Sequence, residues 1–203
     1  MSNSSVTTVE SLKPLRARQA TAKDVPDLAQ TLAAAFFDDP VFAWLYPVAE
    51  RRRGILPRWF EIVIEGFMPH EEIMTTGSAL AGAIWVPPGV DVDERVWTAL
   101  EGVSEEYGPR LAECLDLLDQ HHPNDPHHYL FLVGARPEWQ GRGHGSALMR
   151  PVLEICDRDG IAAYLEATSE NNKRLYLRNG FEVVGEIPLP DGPSLWPMWR
   201  EPN

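Results

Sequence analysis

The sequence predicts a mixed α/β fold, and three stretches carry that prediction. Residues 129–134, Tyr-Leu-Phe-Leu-Val-Gly, form an apolar run of strand length, rich in aromatic and branched side chains. Beyond a glycine-rich stretch, Ala147, Leu148, Met149, Val152, Leu153 and Cys156 recur at helical spacing, so strand, turn and helix follow in succession. Residues 161–166 then make a second compact apolar strand that ends in an acid, Glu166.

The other elements follow in chain order. Residues 1–11 are polar, rich in Ser and Thr, and expected to be disordered, and residues 12–203 are expected to form one domain. Residues 15–18 read as a short first strand. Thr21 offers a helix N-cap with Asp24 three residues on, and Val25, Leu28, Leu32 and Ala35/Phe36 keep helical spacing until Asp38-Asp39-Pro40 ends the segment. Residues 41–47 hold Phe42, Trp44, Leu45 and Tyr46, a crowded set for a loop, and a second helix runs from about 49 towards 67. Residues 72–75 and 79–86 read as a hairpin across Thr76-Gly77-Ser78, stopped by Pro87-Pro88-Gly89. Residues 91–120 carry two helical patterns broken by Gly108-Pro109. Gly160 suits a helix C-cap, residues 171–179 a short helix closed by Gly180, and residues 181–187 with 194–200 a final hairpin.

The glycine stretch between strand and helix is where chemistry concentrates. Pro137 cannot donate to a sheet ladder, so the strand should end near Arg136, and Gly141, Gly143 and Gly145 then stand at alternate positions. The first turn of a helix leaves backbone N–H groups without partners, and glycines let a phosphate approach them closely. Arg142 adds a charge-assisted donor and Ser146 a weaker one. A mobile turn ahead of an ordinary helix is the plainer alternative. Two rival phosphate motifs fail. A P-loop needs Lys-Ser or Lys-Thr after its last glycine, and neither pair occurs. A dinucleotide fingerprint needs another third spacing and an earlier place in the chain.

Gln140-Gly141-Arg142-Gly143-His144-Gly145 resembles the Q/R-x-x-G-x-G/A motif of the GNAT acyltransferase superfamily. Downstream, Leu175-Tyr176-Leu177-Arg178-Asn179-Gly180-Phe181 resembles that family's Tyr-x-x-x-Gly-Phe element. The likeness is strongest from about residue 127 to 181. Within the superfamily, Tyr164-Leu165-Glu166-Ala167-Thr168, Asn172 and the ending Pro190-Asp-Gly-Pro-Ser-Leu-Trp-Pro-Met198 are similar to the puromycin N-acetyltransferase group of actinobacterial members.

The resemblance implies a GNAT fold: a mixed sheet, flanked by helices, that splays where acyl-CoA binds. It implies that the edge Leu132-Val133-Gly134-Ala135 pairs with the pantetheine arm, and that the turn opened by Gln140 binds the pyrophosphate on the backbone amides of Gly141 to Ser146. Asn172 would bond the arm from the other side, although more typical relatives place this Asn where Ser169 stands here. Tyr176 would protonate the departing thiolate. Glu166 would act as the general base or attract a cationic substrate. The link between the first two helices overlies the acceptor pocket in this fold, so Phe37, Phe42, Trp44 and Tyr46 are candidate pocket walls, or cement between helix and sheet. The implied co-substrate is acetyl-CoA, and residues 91–120 look like an insertion shaping the acceptor side.

Charge and composition bound the remaining readings. The formal net charge of −12 lacks the electrostatic footprint of a nucleic-acid binder and would sooner attract a cationic amine. Cys114 and Cys156 are too few for a disulfide framework, and no long apolar span appears, so a cytoplasmic location without a membrane partner is expected. His121, His122, His127 and His128 match no zinc spacing, and no metal is expected. His128, just ahead of the central strand, is a further candidate for the pocket. The preferred function is acetyl transfer to a primary amine of a small molecule, such as an antibiotic or amine metabolite. The alternatives are a non-catalytic acyl-CoA-binding module and a protein N-acetyltransferase, in a monomer or a homodimer.

Overall fold

The computed structural model describes residues 15–70 and 72–203; the disorder expected for residues 1–11 lies outside the described residues. One sheet runs in the order β1-β2-β3-β4-β5-β8-β6, with β7 also pairing β8. Its strands are β1 (Ala17–Gln19), β2 (Ile73–Thr76), β3 (Ala81–Val86), β4 (His127–Ala135), β5 (Ala162–Ala167), β6 (Glu182–Val183), β7 (Ile187–Pro188) and β8 (Ser194–Arg200). Every pairing is antiparallel except β4 with β5. The parallel pair needs a crossover, and the helix read at residues 144–159 supplies it.

Among the described residues seven α-helices flank this sheet: α1 (Val25–Phe36), α2 (Pro40–Leu45), α3 (Ala49–Phe67), α4 (Glu94–Ser104), α5 (Gly108–His121), α6 (His144–Asp159) and α7 (Glu170–Leu177). Their apolar stripes build two cores. On one face Leu28, Leu32, Phe36, Phe42, Phe60, Ile64 and Leu100 pack together from α1 to α4. On the other, Leu148, Met149, Val152 and Cys156 of α6 meet Leu130, Ala163 and Leu165. Cys156 is a buried free thiol, as its place on the helix stripe implied.

Three local features depart from the sequence reading. The aromatic run after Asp39 is a helix, α2, whose first N–H groups at Val41 and Phe42 donate to Asp39 Oδ1 at 2.9 and 3.3 Å. Asp-Pro both stops one helix and starts the next, because proline is tolerated at the first helical position. The final hairpin strand is interrupted: β6 and β7 occupy one edge of β8, with Val184 to Glu186 outside both. Finally, β4 carries a bulge. Ile84 faces Leu132 but Trp85 faces Leu130, so Phe131 is the extra residue and shares a face with Leu132.

Candidate active site

β4 and β5 pair only over His127–Tyr129 and Ala162–Tyr164. Past that point they separate, and the gap opens into a cleft of about 930 Å³. One wall is the β4 edge at Val133, Gly134 and Ala135, and the facing wall is α7 with its approach at Ser169, Asn172 and Tyr176. The end of α1 and start of α2 close one side through Phe36, Asp38 and Asp39. The glycine turn and the start of α6 close the other. Gly134 has no Cβ because α1 passes over it: a Cβ there would stand 2.9 Å from Ala35 Cβ and 3.0 Å from the Phe36 ring.

The glycine turn has the backbone an anion site needs. Gly141 and Gly143 adopt φ of +70° and +86°, and Gly143 is the left-handed residue from which α6 departs. The first-turn N–H groups of α6 therefore lie along the cleft, since Gly141, Gly143, His144, Gly145 and Ser146 all line it. The His144 ring is buried and its Nδ1 meets Thr76 Oγ1 at 2.7 Å, so only its backbone is available to a ligand. Burial, with Arg142 nearby, lowers that imidazole below its ordinary value. Arg142 does not line the cleft; its guanidinium lies 4.7 Å from the centroid of the Trp139 ring. Gln140 lines the cleft and donates to the Ala135 carbonyl at 3.2 Å, and Ser146 Oγ accepts from Asn179 at 3.1 Å.

Tyr176 is buried yet lines the cleft. Desolvation holds its phenol above the ordinary value, and the charges of Asp39 and Glu166 act in the same sense, so it stays protonated at neutral pH. Asp39 reaches the cleft from the opposite wall. Its carboxyl is itself pushed up by burial, against hydrogen bonds from Thr168 and the α2 amides.

Glu166 sits on the other face of β5 from α6, beside Tyr129, and is not among the cleft-lining residues. Burial pushes its carboxyl up to about 7, although the Tyr129 hydroxyl donates to Oε2 at 2.8 Å. The Tyr164 hydroxyl acts in the same stabilising sense but falls short of hydrogen-bond geometry. Glu166 Oε1 and Tyr164 Oη are therefore buried without a protein partner among the described residues.

The remaining sequence candidates stand away from the cleft. Leu132 is buried in the α1–α3 core. Tyr46 is fully buried and its hydroxyl pairs with Ser104 Oγ at 2.7 Å. Trp44 donates to the Pro190 carbonyl at 2.9 Å, under the Arg110 guanidinium, and Phe37 lies beneath Arg52 and Arg53. These aromatic residues fasten α2 and α3 to the loops around them. His128 is buried against Glu72, Nδ1 to Oε2 3.1 Å, and His127 meets His122 at 3.1 Å between their Nε2 atoms. Among the described residues no three His, Cys, Asp or Glu side chains come together as a metal site. Asp39 on the cleft wall is what sequence reasoning missed; the available signal was Asp-Pro ahead of a short apolar run, a helix start.

A family model for the acetyltransferase (GNAT) family matches residues 79–181, a span holding β3 to α7 and both motifs. The chain belongs to that family and is an acyltransferase. An uncharacterised N-acetyltransferase of Schizosaccharomyces pombe is 28% identical, covering 93% of this chain and 84% of that protein. A Corynebacterium glutamicum structure, described as histone acetyltransferase HPA2 and related acetyltransferase, is 28% identical with a TM-score of 0.70, covering 93% of this chain and 97% of that one. Arylalkylamine N-acetyltransferase 2 of Aedes aegypti shares the fold at 14% identity, TM-score 0.61, over 94% of this chain and 100% of that one. The family generally uses acetyl-CoA, and the open β4 edge with the glycine turn fits such a molecule: a strand edge for amides, then helix N–H groups for phosphate.

Proposed function

We propose that this protein transfers an acetyl group from acetyl-CoA directly to a primary amine of a small molecule. The observation that carries the reading is one cleft with the α6 amides at one end and the buried Tyr176 phenol on its wall. Val133 to Ala135 would bind the pantetheine arm along the β4 edge, with Asn172 across from it, and the Gly141 to Ser146 amides would hold the pyrophosphate. The acceptor nitrogen attacks the thioester carbonyl carbon, the C–S bond breaks, and Tyr176 gives its proton to the departing sulfur. An alkyl ammonium must first lose a proton, and Glu166, at about 7 but outside the cleft lining, would take it through a water rather than by direct contact.

A small acceptor is supported by α4 and α5, which add to the helices covering the sheet face that carries Glu166. The likeness of residues 164–168, Asn172 and the stretch 190–198 to the puromycin N-acetyltransferase group supports an antibiotic or related amine metabolite. Arylalkylamine and polyamine N-acetyltransferases among the fold neighbours agree with an amine acceptor.

The test is a thermal-shift titration with acetyl-CoA, followed by CoA release over a panel of small amines and a lysine peptide. A ligand at 100 times its dissociation constant should stabilise the protein by about 2.7 kcal/mol. Release with a small amine, and less with the peptide, is the expected result. A shift without release from any acceptor would leave a binding module. In Gly143→Trp, acetyl-CoA binding should disappear, because position 143 needs φ of +86° beside the bound phosphate; normal binding would remove the site from this cleft.

A further inference from the structure

Asp39 is a carboxylate in the same cleft as Tyr176, and no motif marks it. Its two oxygens do different work. Oδ1 accepts from the Val41 and Phe42 amides and caps α2. Oδ2 accepts the Thr168 hydroxyl at 2.5 Å, and Thr168 Oγ1 in turn accepts from Asn172 Nδ2 at 3.1 Å. Asn172 and Tyr176 are four apart on α7 and so lie on one helix face. An unbroken chain of hydrogen bonds therefore runs from the start of α2, on one wall of the cleft, to the Tyr176 face of α7 on the other.

Capping explains only half of this arrangement. A serine or asparagine would cap α2 without the cost of burying a carboxylate. What requires a second oxygen is the link to Thr168, 129 residues away. Thr168 follows directly on β5, and Ser169 caps α7 by accepting from the Asn172 amide at 3.3 Å. The link is thus made at the point where the chain leaves the splayed strand for α7.

We propose that Asp39 is a positioning residue for acyl transfer: through Thr168 and Asn172 it latches the Tyr176 face of α7 across the cleft. The proposal rests on the acetyltransferase reading and deepens it. A thiolate leaving group must meet the phenol within hydrogen-bond reach, and a displacement of about 1 Å at such a point costs on the order of a hundredfold in rate. α7 has eight residues and Tyr176 is its buried one, so the link at its first turn adds to a few contacts further along, Leu175 against the α6 core and Lys173 over the Trp196 ring.

Thr168→Val tests this cleanly, because it removes the hydroxyl and leaves both cap bonds of Asp39 intact. Hydrogen exchange over residues 170–177 should quicken by about tenfold, with exchange in β5 and β8 unchanged. Turnover should fall by about tenfold or more while the acetyl-CoA dissociation constant stays within about threefold. Thr168→Ser, which keeps the hydroxyl, should restore both exchange and turnover. Wild-type exchange and turnover in Thr168→Val would overturn the latch, as would faster exchange throughout the domain with a matching loss of melting temperature. Should the unmodified protein release no CoA with any acceptor, the acetyltransferase reading fails, and exchange in α7 still decides whether the latch exists.

Discussion

At the scale of single residues, burial raises both Tyr176 and Glu166, and the two consequences differ. Tyr176 is kept protonated, which suits a proton donor. Tyr176→Phe should leave acetyl-CoA binding intact and slow turnover by about a hundredfold; unchanged turnover would reduce Tyr176 to a packing partner of Phe181, whose ring lies 6.1 Å away. Glu166 titrates near 7 rather than at its ordinary 4.5. The folded state therefore holds a proton that the unfolded state has released between those values, and Glu166 lowers stability as pH rises through that window. Glu166→Gln removes this cost. Its melting temperature should gain on the wild type between pH 5 and pH 8, by a stability difference of about 3 kcal/mol at most. Equal pH profiles for the two proteins would place the Glu166 carboxyl in contact with water. Glu166 was legible in the sequence as an acid ending a strand. Its elevation was not, because the burial that causes it comes from packing.

At the scale of elements, α1, α3 and α6 were legible because their apolar residues recur over several turns, with the Thr21–Asp24 box ahead of α1 and Gly160 closing α6. Helix α2 was not, since six residues give too little periodicity and Asp39-Pro40 serves both as a stop and as a start. The bulge at Phe131 was equally hidden: an alternating pattern does not show which residue is the extra one until the partner strand is in place. Gly134 shows how tightly elements meet at the cleft. In Gly134→Ala the new Cβ would press on Ala35 and Phe36, so α1 must shift from β4. A loss of about 1–3 kcal/mol in chemical denaturation is expected, with weaker acetyl-CoA binding because the β4 edge moves. Unaltered stability would mean that α1 adapts without cost.

At the scale of the whole molecule, the two cores lie on opposite faces of one sheet, and the cleft is the place where that sheet comes apart. The chain as a whole carries a formal net charge of −12. For a cationic amine, kcat/KM should fall severalfold between about 0.01 and 0.15 M salt, as the screening length shortens from about 30 to 8 Å. Salt-independent kinetics with a cationic amine would show that this charge plays no part in capture.

The sequence by itself determined most of the order of strands and helices, α2 and the break between β6 and β7 apart, with the glycine turn and the Tyr176 element, because each is written in neighbouring residues: side-chain periodicity, caps, and glycines at alternate positions. Only the tertiary structure decided where β4 and β5 part, that His144, Trp44 and Tyr46 turn into packing, and that Asp39 reaches Thr168. Those outcomes depend on contacts between residues far apart in the chain, whose geometry exists only once the sheet has formed and its two cores have closed around it.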